Sequence, residues 1–248
     1  MKLTRIFITA LTLAVATPIL RAQLLGEPPI PRKQKKEKLR GADLEWMWQY
    51  SPPPADGREN QLIQDPNFLP FLDEYFKAPQ SFWGPSPTDP KAPMHKTLAQ
   101  TIYDFLALPG SVIADENRYI TVTGEVFRFQ SSRGLVFADL DSPHPLVVFA
   151  AIDWIRDAKS VHDPEAEYTL WIFPDQPPGP TSNPLSLPPP LLRSLTRWMA
   201  TPAPGTNFPQ KITHAILVDS DGTPHQIPVP AGAVAPEEAK PLPKRPSP

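Results

Sequence analysis

The chain has 248 residues, 40% of them hydrophobic and 9% aromatic, which is enough to build a core of its own. A formal net charge of −2 is not the basic footprint of a dedicated nucleic-acid binder, and no specific nucleic-acid binding is expected. Cysteine is absent, which excludes disulfides, thiolate nucleophiles, Cys-ligated metals and a lipid anchor on an N-terminal Cys.

The N-terminus reads as an export signal. Lys2 and Arg5 precede an uncharged apolar run over residues 6–16, too short to span a bilayer, which takes about 17 residues or more. Signal peptidase would find small residues at Ala16 and at Ala22. Cleavage after Ala22 is favoured, because Pro18 breaks the apolar helix shortly before that cut. No later segment is long and apolar enough to cross a membrane, so no transmembrane segment is expected after cleavage. An uncleaved N-terminus would instead make the protein a tethered adaptor. The lack of Asn-X-Ser/Thr acceptors and of disulfides points to a bacterial exported protein, periplasmic or extracellular.

Proline (37 residues) outnumbers glycine (11) and concentrates in segments that read as extended connectors. Residues 23–64 read as a basic, proline-rich, largely irregular arm. It contains the cluster Arg32, Lys33, Lys35, Lys36, Lys38 and Arg40. The cluster is a solvated spacer or an attraction to anionic lipid or envelope polymer. Residues 65–230 read as a single α+β domain, with a helical lead-in over 65–110 and a β-core over 111–230. Residues 231–248 read as a disordered proline-rich tail.

Asp65-Pro66 opens a helix over 66–77, with Phe68, Leu69, Leu72 and Phe76 at helical spacing. Leu98, Ile102, Phe105 and Leu106 make the apolar stripe of a second helix over 96–108, ended by Pro109-Gly110. Strand patterning begins at 118–129, where Ile120, Val122 and Val126 share a face and Gly124 marks a bulge or tight bend. Residues 131–134 (Ser-Ser-Arg-Gly) read as a turn, and 135–141 as the next strand. Residues 146–152 are apolar on both faces and so central, and 167–173 follow as a fourth strand. A helix then carries Leu191, Leu192, Leu195, Trp198 and Met199, with Arg193 and Arg197 on its opposite side. Strands over 212–218 and 223–229 form a hairpin around Asp221-Gly222, and Pro224 and Pro228 confine the last strand to an edge.

A strand meander interrupted by one helix resembles, over residues 110–230, the topology of the small oligosaccharide- or oligonucleotide-binding (OB) barrel. The resemblance is one of topology, with one strand in excess before the helix, and it names no family. It implies a small antiparallel β-barrel or curved sheet of OB-like topology, with about three helices and proline-rich arms.

No G-x-S-x-G turn, H-E-x-x-H helix or S-x-x-K pair is present. Asp139 and Asp141 fall on one face of a strand end, roughly 6–7 Å apart by strand rise. Such a pair suits glycoside chemistry. With His144 and His162 it supplies the residues an exported hydrolase of polysaccharides or esters would use. Local capping in the Asp-Ser-Pro turn is the stronger role. His214, in register with Ile212, Ile216 and Val218, is expected to be a hydrogen-bonded core residue. Asp219-Ser220-Asp221-Gly222 lacks the closing Glu of a calcium loop and reads as the hairpin turn. No metal site and no cofactor are expected.

Tyr119, Phe127 and Phe129 lie on the face opposite Ile120 and Val126. Arg128 and Arg133 beside these rings favour an anionic or sugar ligand, although core packing is the plainer role for aromatics. Taken together, the residues point to an exported, non-catalytic binding or envelope-interaction protein. Its partner would be an envelope polymer or protein. The alternative is the exported hydrolase.

Overall fold

Side chains 147–152 read Val-Val-Phe-Ala-Ala-Ile, and all six are completely buried. A strand apolar on both faces must be covered from both sides, and the fold follows from that requirement. The computed structural model describes residues 42–51, 58–83, 95–141, 144–154, 163–179, 183 and 185–231. The leader, the basic cluster, His162 and the tail beyond residue 231 lie outside them.

Seven strands form one sheet: β1 (Leu108–Asp115), β2 (Tyr119–Val126), β3 (Phe129–Asp139), β4 (Val147–Trp154), β5 (Glu167–Pro174), β6 (Lys211–Val218) and β7 (Pro224–Ile227). They lie side by side in chain order, antiparallel except for the parallel β5–β6 pair. Among the described residues three α-helices accompany them: α1 (Phe68–Tyr75), α2 (Leu98–Phe105) and α3 (Pro189–Ala200). Two 3-10 helices, Ala42–Tyr50 and Glu59–Gln64, precede α1. The helix α3 is the crossover that lets β6 run parallel to β5.

The fold is therefore α+β, but the sheet is not closed into the barrel that OB-like topology implies; β1 and β7 are its two edges. The reason is the two-sided burial of the central strands. One face packs Ile120, Val122, Val136, Phe149 and Phe173 against α1, α2 and both 3-10 helices. The other packs Leu135, Phe137, Ala150, Ile152, Leu170 and Ile172 against Leu191, Leu195, Trp198 and Met199 of α3. The first core takes in Leu44, Met47 and Leu62, which precede the 65–230 span. Trp83 packs among Phe82, Phe105, Trp171 and Phe173, and its indole N–H donates to Asp153 at 2.8 Å.

Three local expectations are revised. Pro109-Gly110, expected to end a helix, lies in β1, whose register shifts between Pro109 and Val112. Residues 131–134 are not a turn. The chain reverses instead at Phe127-Arg128, with Arg128 at φ 68°, and the register slips between Glu125 and Val126 because β3 carries extra residues there. Finally, His214 is exposed rather than buried. Tyr168 pairs with Ile212 but Thr169 pairs with His214, so the unpaired Thr213 flips the alternation and sends Ile212 to the α3 face with Ala215 and Leu217.

Gly124 and Gly134 face each other across β2 and β3. A Cβ at Gly124 would meet the Leu106 Cα at 2.7 Å, and one at Gly134 would meet the Phe105 backbone oxygen at 2.9 Å. This glycine pair lets the end of α2 lie directly on the sheet, where no rotamer change could relieve a clash. Gly134→Ala is expected to destabilise the fold by roughly 2–3 kcal/mol, lowering the melting temperature by about 5–10 °C in a thermal melt. An unchanged melting temperature would show that the contact gives way freely.

Candidate functional site

Arg133 is the one charged side chain among the described residues that is buried, at 4% exposure. It arrives there through the irregular pairing near the β2–β3 hairpin. Downstream of the slip, Arg133 opposes Glu125 on β2 and Ile152 on β4, and shares the α3 face with Leu135 and Phe137. Its guanidinium stacks over the Trp198 ring, 5.4 Å from the centroid. Its Nη1 donates to the Thr201 carbonyl at 3.1 Å, at the C-terminal cap of α3. The negative end of that helix favours a cation. Nε and Nη2 are buried and have no hydrogen-bond partner.

Arg133 lines a cavity of about 260 Å³ between β1, β2 and the last turn of α3, although its Nε and Nη2 are closed to a water-sized probe. Its walls include Ser111, Ile113, Thr123, Glu125, Trp198 and Pro202. Thr121 donates to Ser194 at 3.0 Å across the sheet–helix interface, and the Thr123 hydroxyl accepts from the Ser111 amide at 2.9 Å. Arg197 at the rim is paired with Asp115 at 2.7 Å, and Arg193 is paired with Glu116. These two ion pairs fasten α3 to the β1–β2 turn, where Glu116 and Asn117 adopt positive φ. Burial pushes the Arg133 guanidinium down to about 10, against the opposing pull of Glu125 and then Tyr168. Burial likewise raises the Glu125 carboxyl, and Arg133 partly offsets that rise. Glu125 and Arg133 oppose each other on neighbouring strands, yet no ion pair or hydrogen bond joins them.

Two further cavities, of about 420 and 130 Å³, lie around α1 and the start of α2. No buried charged side chain lines either of them. The buried Gln80 in the larger one is already bonded to the backbone of Phe82, Trp83 and Lys96.

Of the residues singled out in the sequence for ligand binding, Arg133 alone lines the cavity. Tyr119 is buried, stacked on Phe137 with centroids 5.6 Å apart. Phe127 and Phe129 are 57% and 66% exposed at the tip of the β2–β3 hairpin, where Arg128 lies over the Phe127 ring. Sequence reasoning missed Glu125, Ser194 and Trp198 as site residues, because their convergence depends on where α3 docks.

The hydrolase candidates fall elsewhere. Asp139 is gripped by Arg118 through two bonds of 2.8 Å, from Nε and Nη2. The same carboxylate also accepts from the Asp141 amide at 3.2 Å, the local capping expected of this turn. Asp141 and His144 are exposed, and His162 lies outside the described residues. None of Asp139, Asp141 and His144 lines any of the three cavities. Among the described residues no three His, Asp or Glu side chains converge as a metal site, and no helix is long and apolar enough to cross a membrane.

The Arg118–Asp139 fork closes the ends of β2 and β3. Asp139→Ala is expected to cost about 1–2 kcal/mol in urea denaturation, with solvent at the Arg118 end limiting the loss. A loss above about 3 kcal/mol would mean that the pair behaves as a buried one. No protein-family model, no curated protein and no solved structure matches this chain.

Proposed function

We propose that this chain is an exported, non-catalytic binding protein that holds a small ligand in the cavity over Arg133. The observation that carries the proposal is a buried arginine in the wall of a cavity that it shares with Trp198, Ser111 and Thr123. A buried arginine has five donors and no acceptor, and each buried donor left unmade costs on the order of 1–3 kcal/mol. The rest of the site supports this reading. The walls combine an indole, aliphatic surface and a few convergent polar groups, the usual make-up of a small-molecule site. The cavity lies just below the usual range of about 300–1,000 Å³ for drug-sized ligands, which favours a small metabolite over a polymer. The envelope setting rests on the leader read in the sequence, and of Arg128 and Arg133, expected there to favour an anionic or sugar ligand, only Arg133 lines this cavity.

The test pairs stability with binding. Arg133→Met keeps the length and apolar stem of the side chain and removes the charge. In the ligand-free protein it is expected to leave stability unchanged or raise it by about 1–3 kcal/mol. Thermal-shift screening of the wild-type protein against small organic anions, zwitterions and sugars is expected to yield ligands that raise the melting temperature. R133M is expected to respond to none of them. If R133M unfolds readily without ligand, or keeps every response of the wild type, Arg133 is a structural residue and the proposal falls.

A further inference from the structure

We propose that the tip of the β2–β3 hairpin, Phe127-Arg128-Phe129, is a membrane-contact point that sinks two phenyl rings into a bilayer and sets Arg128 among anionic headgroups. The tip is a second surface, separate from the cavity at Arg133, and the proposal goes beyond that reading.

The shape of the tip comes first. Val126 pairs with Phe129, so Phe127 and Arg128 alone make the turn. Neither neighbouring strand follows the hairpin to its end. The pairing of β1 with β2 stops at Glu125, and that of β4 with β3 starts at Arg133. The two strands therefore carry the tip past the edge of the sheet around it.

The chemistry of the tip comes next. Phe127 and Phe129 are 57% and 66% exposed, and neither joins either core. Two-residue hairpin turns usually take Asn, Asp or Gly, which suit positive φ. Here the turn is Phe-Arg, with Arg128 at φ 68°. Neither turn geometry nor burial calls for these residues. Arg128 lies over the Phe127 ring, 5.2 Å from its centroid, and is the one charged residue in 126–132. The nearest acid along the chain, Glu125, lines the cavity instead. The tip is thus apolar and cationic, with no acid beyond Glu125 to repel an anionic surface. Rings that enter the acyl boundary while an arginine stays at headgroup level form an interfacial anchor.

Area decides between a bilayer and a protein partner. The two rings leave roughly 250 Å² of apolar surface in water, taking the usual size of a phenylalanine. A stable protein interface takes about 800 Å² from each side. A bilayer asks only that the rings enter it.

The full chain is sedimented with vesicles of phosphatidylcholine, alone or mixed with phosphatidylglycerol. The leader and the basic segment stay in every arm, so the comparison is between tip variants. Binding to the mixed vesicles is expected, weakened about tenfold or more by Phe127→Ser with Phe129→Ser. Arg128→Asn, which tolerates the positive φ, should cut the preference for mixed over neutral vesicles about fivefold. Thermal melts are expected to stay at the wild-type temperature, because the rings are outside both cores. A local readout stands apart from these losses. The chain has no cysteine, so Phe129→Cys and, at the far end of β3, Asp141→Cys each take a single environment-sensitive fluorophore. The label at 129 is expected to shift to the blue on mixed vesicles, and the label at 141 is not. If the label at 129 does not shift, or both shift alike, the tip does not insert and the proposal is overturned. If the serine variants instead abolish self-association and leave vesicle binding intact, the tip meets a second copy of the chain and the membrane assignment is wrong. None of these outcomes bears on ligand binding at Arg133.

Discussion

The burial of the central strands on both faces constrains everything else in this fold. A strand such as β4, with apolar side chains pointing both ways, is stable only between two covering layers. The N-terminal helices supply one layer and α3 the other. Covering the second face requires a crossover, and the crossover makes β6 enter parallel to β5. The docking of α3 then fixes the cavity. The helix ends at Ala200 beside the β1–β2 side of the sheet, held there by Arg193 and Arg197, and the space under its last turn is where Arg133 lies.

The electrostatics of that space follow from the same arrangement. The interior that makes the sheet stable also makes a charge expensive, and Arg133 is held down to about 10 by desolvation despite a helix C-terminus and an indole beside it. The contrast with Arg118 is instructive. Both arginines sit in the β2–β3 region. Arg118, partly exposed, has its carboxylate within the chain; Arg133, buried, does not.

Much of the secondary structure was legible in the sequence because it depends on local periodicity. The apolar run of β4, the helical spacing of Leu98, Ile102 and Phe105, and the Asp-Gly turn between β6 and β7 each depend on a few neighbouring residues. Thr97 and Gln100 form a reciprocal capping box that fixes the start of α2, a four-residue signal also present in the sequence. The irregularities were not legible. The slip beside Glu125 and the extra Thr213 each reverse the in–out alternation, and no side-chain pattern announces a residue that is skipped. The misplaced turn at 131–134 had the larger effect: it set Arg133 in solvent beside Phe127 and Phe129, when the strand carries it inward and leaves the two rings outside. Arg133 was singled out for its neighbours in sequence, whereas its partners in space are Trp198 and Thr201, more than sixty positions away. Of the two forms expected, a barrel or a curved sheet, the closed barrel fails for a related reason while a curved sheet is compatible with the structure. Strand order can be guessed from hairpins, but whether a sheet curls or stays open depends on what covers its second face.

The chain-order arrangement of the strands also bears on how the protein assembles. Strands β1 to β4 each pair antiparallel with the next along the chain, so hairpin after hairpin can zip up through contacts close in sequence. The parallel β5–β6 pair has no such shortcut. It must wait until the long proline-rich stretch after β5 has looped over and α3 has settled, a closure with a larger entropic cost. The roof above Arg133 belongs to that late-arriving piece. The enclosure of the Arg133 guanidinium depends on contacts made across that crossover, to Trp198 and Thr201.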